Sequence, residues 1–310
     1  MNVLITCPPM LRSIERFEER FKSLGLKYFA PDVAQILPEK ELIKLVPKFD
    51  GWIIGDDPAT RKVFEAGKSG LLKAAVKWGV GTDNVDFDAC ADLKICIENT
   101  PGMFGEEVAD LAMCYVTSLA RQTQLIHQGI LNNDWPKPIG ISLRGKKCGV
   151  VGFGDIGKNT AKRLIASSME VIAYDPYFES VNSLPSVRHE IWPNSLNELD
   201  FLVFTCSLNS QSFHMFDRKA LDNCKIGLRI VNIARGPLID EGTLIEGLTS
   251  GKIHSAALDV FEVEPLPFNS ELRNFKQCIF GSHNGSNTID AVIRTSNLAI
   301  DLLHKFLLNN

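Results

Sequence analysis

The strongest indication of the fold comes from one segment, Cys148-Gly149-Val150-Val151-Gly152-Phe153-Gly154-Asp155-Ile156-Gly157. An apolar run leads into Gly152, Gly154 and Gly157, spaced as G-x-G-x-x-G, and a helical pattern follows. In such a turn the first glycine permits a tight bend. The second lets the backbone approach a phosphate, and the third lets the helix pack closely on the strand. The segment therefore predicts a strand, turn and helix whose free N–H groups face a pyrophosphate.

A carboxylate follows the next predicted strand, Val171–Tyr174. Asp175 lies 18 residues after Gly157 (175 − 157 = 18). An acidic residue at this place accepts hydrogen bonds from the ribose hydroxyls of an adenosine and repels a 2′-phosphate. Residues 176–179 contain no Arg or Lys. The pattern predicts NAD rather than NADP as the cofactor. The alternative, an Asp that only ends a strand, is disfavoured by the preceding glycines.

Asp155 has the wrong charge for a place beside a pyrophosphate. We expect its side chain to point to solvent. The cofactor would then be bound by backbone amides at Asp155 and Ile156, at a small electrostatic cost.

Short apolar runs alternate with helical patterns along two stretches of the chain, which is typical of a parallel sheet covered by helices. Six runs in the second stretch predict a doubly wound sheet: Cys148–Gly152, Val171–Tyr174, Phe201–Thr205, Arg229–Asn232, Ser255–Leu258 and Cys278–Phe280. Four runs predict strands in the first stretch: Val3–Ile5, Trp52–Ile54, Ala74–Val76 and Ile95–Ile97. Helical spacing predicts one long helix over Glu106–His127 and another over Ser286–Leu308.

These patterns predict an α/β protein with two Rossmann-like doubly wound domains and a cleft between them. We expect residues 1–98 and 286–310 to form a discontinuous substrate domain, and residues 99–285 to form the dinucleotide-binding domain.

Composition excludes several classes of protein. Of 310 residues, 45% are hydrophobic and 23% charged, and the net charge of −4 offers no basic surface for nucleic acid. No apolar run is long enough to span a membrane, and the first residues lack a signal-peptide pattern, so we expect a cytoplasmic protein. Eight cysteines occur singly, without a C-x-x-C pair, which predicts reduced thiols and no metal site.

Polar residues follow three strands of the second predicted sheet, at the edge where such sheets bind ligands. Arg235 follows the strand that ends at Asn232. Asp259 and Glu264 follow the next strand, and His283 follows the last one.

The segments that hold these residues resemble the D-isomer-specific 2-hydroxyacid dehydrogenase family, in its phosphoglycerate dehydrogenase-like branch. Val231–Asp240 (VNIARGPLID) resembles the family's V-N-x-A-R-G-x-x-[VI]-D. Ala257–Pro265 (ALDVFEVEP) resembles A-L-D-V-F-x-x-E-P, and Gly281-Ser282-His283 resembles [ST]-P-H. Gly79–Asp86 (GVGTDNVD) and Asn99-Thr100-Pro101-Gly102 match in the first half. The resemblance thus covers essentially the whole chain.

The resemblance implies interconversion of a 2-hydroxy acid and its 2-oxo acid. Arg235 would hold the substrate carboxylate and carbonyl with its planar guanidinium. His283 would exchange a proton with the carbonyl oxygen, and Glu264 would orient and stabilise the protonated ring. The resemblance also places five further residues beside the cofactor: Thr205, Cys206, Ala234, Asp259 and Gly285.

In the first half, the resemblance implies that backbone N–H groups of Val80 and Gly81 bind the substrate carboxylate. Lys77 is a candidate phosphate or carboxylate contact, and an ordinary lysine at a strand end is the equal alternative. The arginine that phosphoglycerate dehydrogenases carry near residue 55 is absent here, where Asp56 and Asp57 stand instead.

Several functions remain open at this point. An NAD-dependent dehydrogenase with 3-phosphoglycerate as the leading single substrate is the first. A hydroxypyruvate or glyoxylate reductase and an NAD(H)-sensing, corepressor-like binding protein are alternatives. Formate dehydrogenase is disfavoured because it lacks a residue equivalent to Glu264. We expect a homodimer built from the long helix and the loop around Trp135, with no nucleic-acid or membrane partner.

Overall fold

A computed structural model describes residues 1–309. The chain divides into two compact units. The first comprises Met1–Phe104 and the segment that begins at Asn287, and the second comprises Gly105–Ser286. The boundaries predicted from the sequence, after residues 98 and 285, come six residues and one residue earlier (104 − 98 = 6; 286 − 285 = 1).

The first unit is a parallel sheet of five strands, with the order β2-β1-β3-β4-β5. Its strands are β1 (Asn2–Ile5), β2 (Lys27–Phe29), β3 (Gly51–Ile54), β4 (Ala74–Lys77) and β5 (Cys96–Asn99). Its helices are α1 (Pro8–Leu11), α2 (Glu18–Ser23), α3 (Glu39–Leu45), α4 (Arg61–Ser69), α5 (Phe87–Leu93) and, from the end of the chain, α11 (Ile289–Leu308).

Helix α11 completes the core of the first unit. It packs on β3 and β4, where a side chain at Gly51 would come within 3.0 Å of Leu303. The indole N–H of Trp78 donates to the hydroxyl of Ser296 at 3.0 Å. The sheet therefore depends on a helix that is distant in the sequence.

The second unit is a parallel sheet of seven strands, with the order β12-β11-β10-β9-β6-β7-β8. Its strands are β6 (Lys147–Val151), β7 (Glu170–Tyr174), β8 (Arg188–His189), β9 (Phe201–Phe204), β10 (Leu228–Asn232), β11 (Ile253–Leu258) and β12 (Ile279–Phe280). Its helices are α6 (Gly105–Arg121), α7 (Thr123–Leu131), α8 (Asp155–Ala166), α9 (Arg218–Asn223) and α10 (Glu241–Ser250).

In both sheets the strand order reverses at a point beside the first strand. These points lie between β1 and β3 in the first sheet and between β6 and β9 in the second. The prediction of two doubly wound α/β units is thus confirmed. Open sheets of this kind bind ligands at the carboxyl ends of the strands beside such a reversal.

The prediction of one helix over Glu106–His127 is wrong. The chain breaks at Gln122, which has a left-handed φ of 53°, and α6 and α7 meet there. No glycine or proline lies within five residues of Gln122 to mark this break. Two edge strands, β2 and β8, were also not predicted. Both are short, and neither contains a buried residue.

Among residues 1–309, no helix is both long enough and apolar enough to cross a membrane.

Candidate active site

The glycine turn after β6 needs glycine for two separate reasons. Gly152 has a φ of 92°, and a Cβ there would lie 2.6 Å from the backbone of Cys206, at the end of β9. A Cβ on Gly157 would overlap the carbonyl oxygen of Gly152. These close approaches bring the start of α8 directly onto the end of β6, as the motif predicts.

The backbone at this turn is open to a ligand at Gly154. A Cβ on Gly154, the N-cap of α8, would meet no other atom within 4 Å, so a ligand can approach the backbone there. Helix α8 is twelve residues long, and its N-terminus, the positive end of the helix, lies at Gly154. The Thr205 hydroxyl donates to the carbonyl of Gly152 at 2.7 Å and thereby holds the end of β9 against the turn. The turn therefore has the shape and the polarity that a pyrophosphate requires.

Asp175 ends β7 next to the turn. Its Oδ2 accepts the backbone N–H of Phe153 at 2.6 Å, and its Oδ1 accepts that of Tyr177 at 2.8 Å. These bonds fix the carboxylate beside the glycine turn, where the adenosine ribose is expected.

Replacing Asp175 with alanine should reduce the preference for NADH over NADPH. Removal of the carboxylate ends its repulsion of a 2′-phosphate, so the ratio of kcat/KM values for the two cofactors should fall ~10-fold to 100-fold. Because alanine also loses two backbone bonds, Asp175→Asn serves as the matched variant that keeps one acceptor oxygen. An unchanged ratio in both variants would remove Asp175 from the ribose site.

The side chain of Asp155 is exposed, as expected, but it does not simply extend into water. Its Oδ1 accepts the side-chain N–H of Asn159 at 3.1 Å. The carboxylate also lies against Gly105, where a Cβ would overlap it. Gly105 begins α6, so this negative charge stands at the positive end of a helix. That arrangement offsets part of the electrostatic cost that Asp155 brings to the turn.

Arg235 follows β10 on a turn that Asn232 holds. The buried Asn232 donates from its side chain to the carbonyl of Arg235 at 2.8 Å, and its Oδ1 accepts the N–H of Ala234 at 3.1 Å. A Cβ on the next residue, Gly236, would overlap the carbonyl of Phe261, so the Arg235 turn packs directly on the loop after β11.

Glu264 and His283 form a hydrogen-bonded pair within the second unit. Glu264 Oε2 lies 2.8 Å from His283 Nδ1, and Glu264 Oε1 accepts the N–H of Phe261 at 3.0 Å. The two side chains are 23% and 22% exposed, so water screens the pair only in part. The carboxylate holds Nδ1 as a donor and orients the ring. The role of His283 in proton transfer stays a prediction.

The turn that carries His283 is held by Asp259, which is almost fully buried. The Asp259 carboxylate accepts the N–H groups of Asn284 and Gly285, the closest contacts being 2.9 and 2.8 Å, and its carbonyl accepts that of His283 at 2.6 Å. His283 has a left-handed φ of 55°, which is uncommon for a residue other than glycine. Asp259 therefore positions His283, and its contact with the cofactor stays a prediction.

Tyr115, on α6, adds a further bond to this arrangement. Burial raises the pKa of its hydroxyl, and the neighbouring charge and hydrogen bond of Asp259 act in the same direction. The sequence gives no sign of this role, because Tyr115 falls on the apolar face of its helix.

In the first unit, Lys77 ends β4 and is almost fully buried. Its ammonium donates to the carbonyl of Gly55 at 2.5 Å and to Asp56 Oδ1 at 2.9 Å. Asp57 is buried as well and accepts the N–H of Leu37 at 2.8 Å. Burial raises the pKa of Asp57, while that hydrogen bond lowers it. The substrate contacts predicted for Lys77, Val80 and Gly81 stay predictions.

One group of side chains in the second unit offers the ligand types that metals use. His214, Asp240 and Glu262 have ligand atoms within 4.8 Å of one another. The carboxylates face different nitrogens of the ring, Nδ1 and Nε2, so the arrangement is that of an imidazole between two carboxylates. The three residues are far apart in the chain, so their sequence positions do not indicate this group.

The comparisons with known proteins agree with this site. Residues 113–285 match the family described as D-isomer specific 2-hydroxyacid dehydrogenase, NAD binding domain. A hydroxypyruvate reductase from Thermotoga maritima is 35% identical over 274 residues, which are 87% of this chain and 87% of that protein. A D-3-phosphoglycerate dehydrogenase from Methanocaldococcus jannaschii is 34% identical over 283 residues, 89% of this chain but only 53% of that protein.

Solved structures share the fold. A protein from Thermus thermophilus superposes with a TM-score of 0.88 at 28% identity, and the match covers 100% of this chain and 98% of that one.

The chain belongs to the D-isomer-specific 2-hydroxyacid dehydrogenase family. It is an NAD-dependent oxidoreductase that acts on the CH–OH group of 2-hydroxy acids. The prediction of an enzyme that uses NAD is confirmed.

Proposed function

We propose that this enzyme reduces a short, unphosphorylated 2-oxo acid, of the hydroxypyruvate or glyoxylate type, to its D-2-hydroxy acid. The observation that carries this proposal is the pairing of Lys77 with Asp56 at the substrate-binding end of the first unit. It favours the reductase alternative over 3-phosphoglycerate.

Arg235 binds the substrate in this proposal. Its guanidinium forms two parallel hydrogen bonds with the carboxylate and the carbonyl oxygen of the 2-oxo acid. The fixed positive charge also stabilises the negative charge that develops on that oxygen during reduction. The Asn232 bonds and the close packing of Gly236 support a rigid position for Arg235.

His283 supplies the proton and Glu264 holds the ring. Bound NADH provides the hydride chemistry. His283 donates a proton from Nε2 to the carbonyl oxygen and takes one back in the reverse reaction. Glu264 stabilises the protonated ring through Nδ1, and the 2.8 Å contact supports this role.

The charge balance around Lys77 argues against a phosphate on the substrate. A phosphate needs a cation that is not already neutralised. The side chain of Lys77 is 1% exposed and its ammonium is bonded to Asp56, whereas the side chain of Asp56 is 37% exposed. A ligand near this loop would therefore meet a carboxylate, which accepts a hydrogen bond from a hydroxyl and repels a phosphate.

NADH oxidation with three 2-oxo acids tests this proposal. We expect kcat/KM for hydroxypyruvate or glyoxylate to exceed that for 3-phosphohydroxypyruvate by at least ~100-fold, because like charges cost several kcal/mol when brought together. Asp56→Asn removes the repelling charge and should narrow this difference. A higher kcat/KM for the phosphorylated acid would contradict the proposal.

We also propose that the enzyme is a cytoplasmic homodimer. Exposed apolar side chains cluster at the end of α7 and in the following loop, where Leu131, Trp135 and Ile139 are 63%, 74% and 93% exposed. Exposed apolar side chains close together along one segment favour a subunit interface there. The eight free thiols are compatible with a reducing compartment.

A further inference from the structure

His214 lies between two carboxylates of the second unit. Its Nδ1 is 3.4 Å from Asp240 Oδ2, and its Nε2 is 3.0 Å from Glu262 Oε1. A histidine ring carries a proton on both nitrogens only as the imidazolium. Nε2 is shielded from solvent and faces Glu262 without hydrogen-bond alignment, so the contact between the two groups is electrostatic.

Both carboxylates are tied into the surrounding backbone. Hydrogen bonds from the hydroxyl and the N–H of Thr243 lower the pKa of Asp240, and the nearby imidazole contributes to this effect. Asp240 is the N-cap of α10. Glu262 Oε1 accepts the N–H of Glu241 at 2.9 Å. Burial and the charge of Glu262 together raise the pKa of Glu241, which is the other carboxyl group at this place.

The backbone of His214 is held in an uncommon conformation. His214 has a left-handed φ of 49°. A residue other than glycine keeps this conformation only where the surrounding structure holds it. Its N–H donates to the carbonyl of Pro237 at 2.8 Å, and that of Phe216 donates to Leu238 at 3.1 Å. The segment 214–216 therefore runs beside the residues that directly follow Arg235.

Glu262 connects this ring to the catalytic pair. It belongs to the turn of residues 261–264, in which Glu264 accepts the N–H of Phe261 and contacts His283. The same turn rests against Gly236. A displacement of Glu262 would therefore also move the backbone N–H of Phe261, which Glu264 accepts.

We propose that His214 is a positioning residue for the reaction. Its imidazole, held between Asp240 and Glu262, keeps the turn of residues 261–264 in the geometry in which Glu264 contacts His283. The inference rests on the roles proposed above for Glu264 and His283. A bound metal is a weaker interpretation, because the shortest contacts of the two carboxylates are with different nitrogens of His214.

The first test is His214→Asn, since asparagine tolerates a left-handed backbone but has no ionisable ring. We expect kcat for 2-oxo acid reduction to fall about tenfold, with KM for NADH unchanged, because a small displacement of Glu264 misaligns the proton donor. The pH midpoint of kcat should also move to lower pH, because protonated His283 loses part of its stabilisation. His254→Asn is the matched control, since His254 is partly buried in the same unit and bonded to Ser255. His254→Asn should leave kcat and its pH midpoint unchanged.

Glu262→Gln provides a second route that does not depend on the fold of the first variant. Glutamine keeps an acceptor for the Glu241 N–H but loses the charge. The lower kcat and the lower pH midpoint should both recur, and the double variant should be no worse than either single one, because both break the same interaction. Wild-type kcat and midpoint in both variants, even with a reduced Tm, would overturn the inference.

Glu264→Gln separates this inference from the proposed function. A shift of the midpoint with Glu264→Gln, but none with His214→Asn, overturns the role of His214 alone. No shift with Glu264→Gln overturns the role of Glu264 and this inference together.

Discussion

Replacing His283 with alanine is expected to lower kcat for reduction by ~10²-fold to 10⁴-fold, the usual contribution of a positioned acid or base. The affinity for NADH should remain nearly unchanged, because the glycine turn and Asp175 lie on other strands of the sheet. Stopped-flow or steady-state NADH oxidation measures the first quantity, and fluorescence titration with NADH measures the second.

The rates of reduction and oxidation should depend on pH in opposite ways. Reduction needs protonated His283 and should slow as pH rises, whereas oxidation needs the neutral ring and should slow as pH falls. In His283→Ala both dependences should disappear from the residual rate. Turnover near the wild-type value would show that another group supplies the proton. His283→Gln keeps a polar side chain on the same turn and guards against an effect of the turn itself.

Replacing Arg235 with alanine should lower kcat/KM for the 2-oxo acid by ~10²-fold to 10³-fold, because the substrate loses both its bound carboxylate and the charge that stabilises its oxygen. Arg235→Lys should recover only part of this loss, since an ammonium keeps the charge but not the planar pair of donors. Initial rates over a range of substrate concentrations separate the effects on kcat and KM.

A matched control for Arg235 is Arg218→Ala. Arg218 lies on α9 of the same unit, where it pairs at the surface with Asp222 and Glu246. Its loss should leave kcat/KM unchanged, because exposed ion pairs contribute little. Equal effects of the two substitutions would mean that a general change of charge, and not a contact with substrate, explains the Arg235 result.

Much of the fold was predictable because each main strand is a short apolar run. β6, β7 and β9 lie within a residue of their predicted positions, since parallel strands with helices on both faces are buried on both sides. The edge strands β2 and β8 escaped prediction because a strand at an edge needs no apolar face. The break at Gln122 is set by tertiary packing, which outweighs a local pattern that is helical throughout.

Only some residues of the candidate site could be predicted from the sequence. Arg235, Glu264 and His283 were predictable because each lies in a motif that follows a strand. The positioning groups were not, since their role exists only after folding. Tyr115 reaches Asp259 from a helix, and His214 meets Asp240 and Glu262 through three separate segments. Asp240, Asp259 and Glu262 lie in the quoted motifs, but nothing in the sequence near Tyr115 or His214 distinguishes those two residues from ordinary structural positions.

The return of α11 to the first unit has a consequence for biosynthesis. The 182 residues of the second unit (286 − 104 = 182) are translated between β5 and this helix. At ~5–20 residues per second, a ribosome needs roughly 9 to 36 s to synthesise them. During this interval the nascent β1–β5 sheet lacks the helix that covers β3 and β4, so its apolar face is open to chaperones or to misassociation. The second unit, whose segments are contiguous, can complete its core before the first one does.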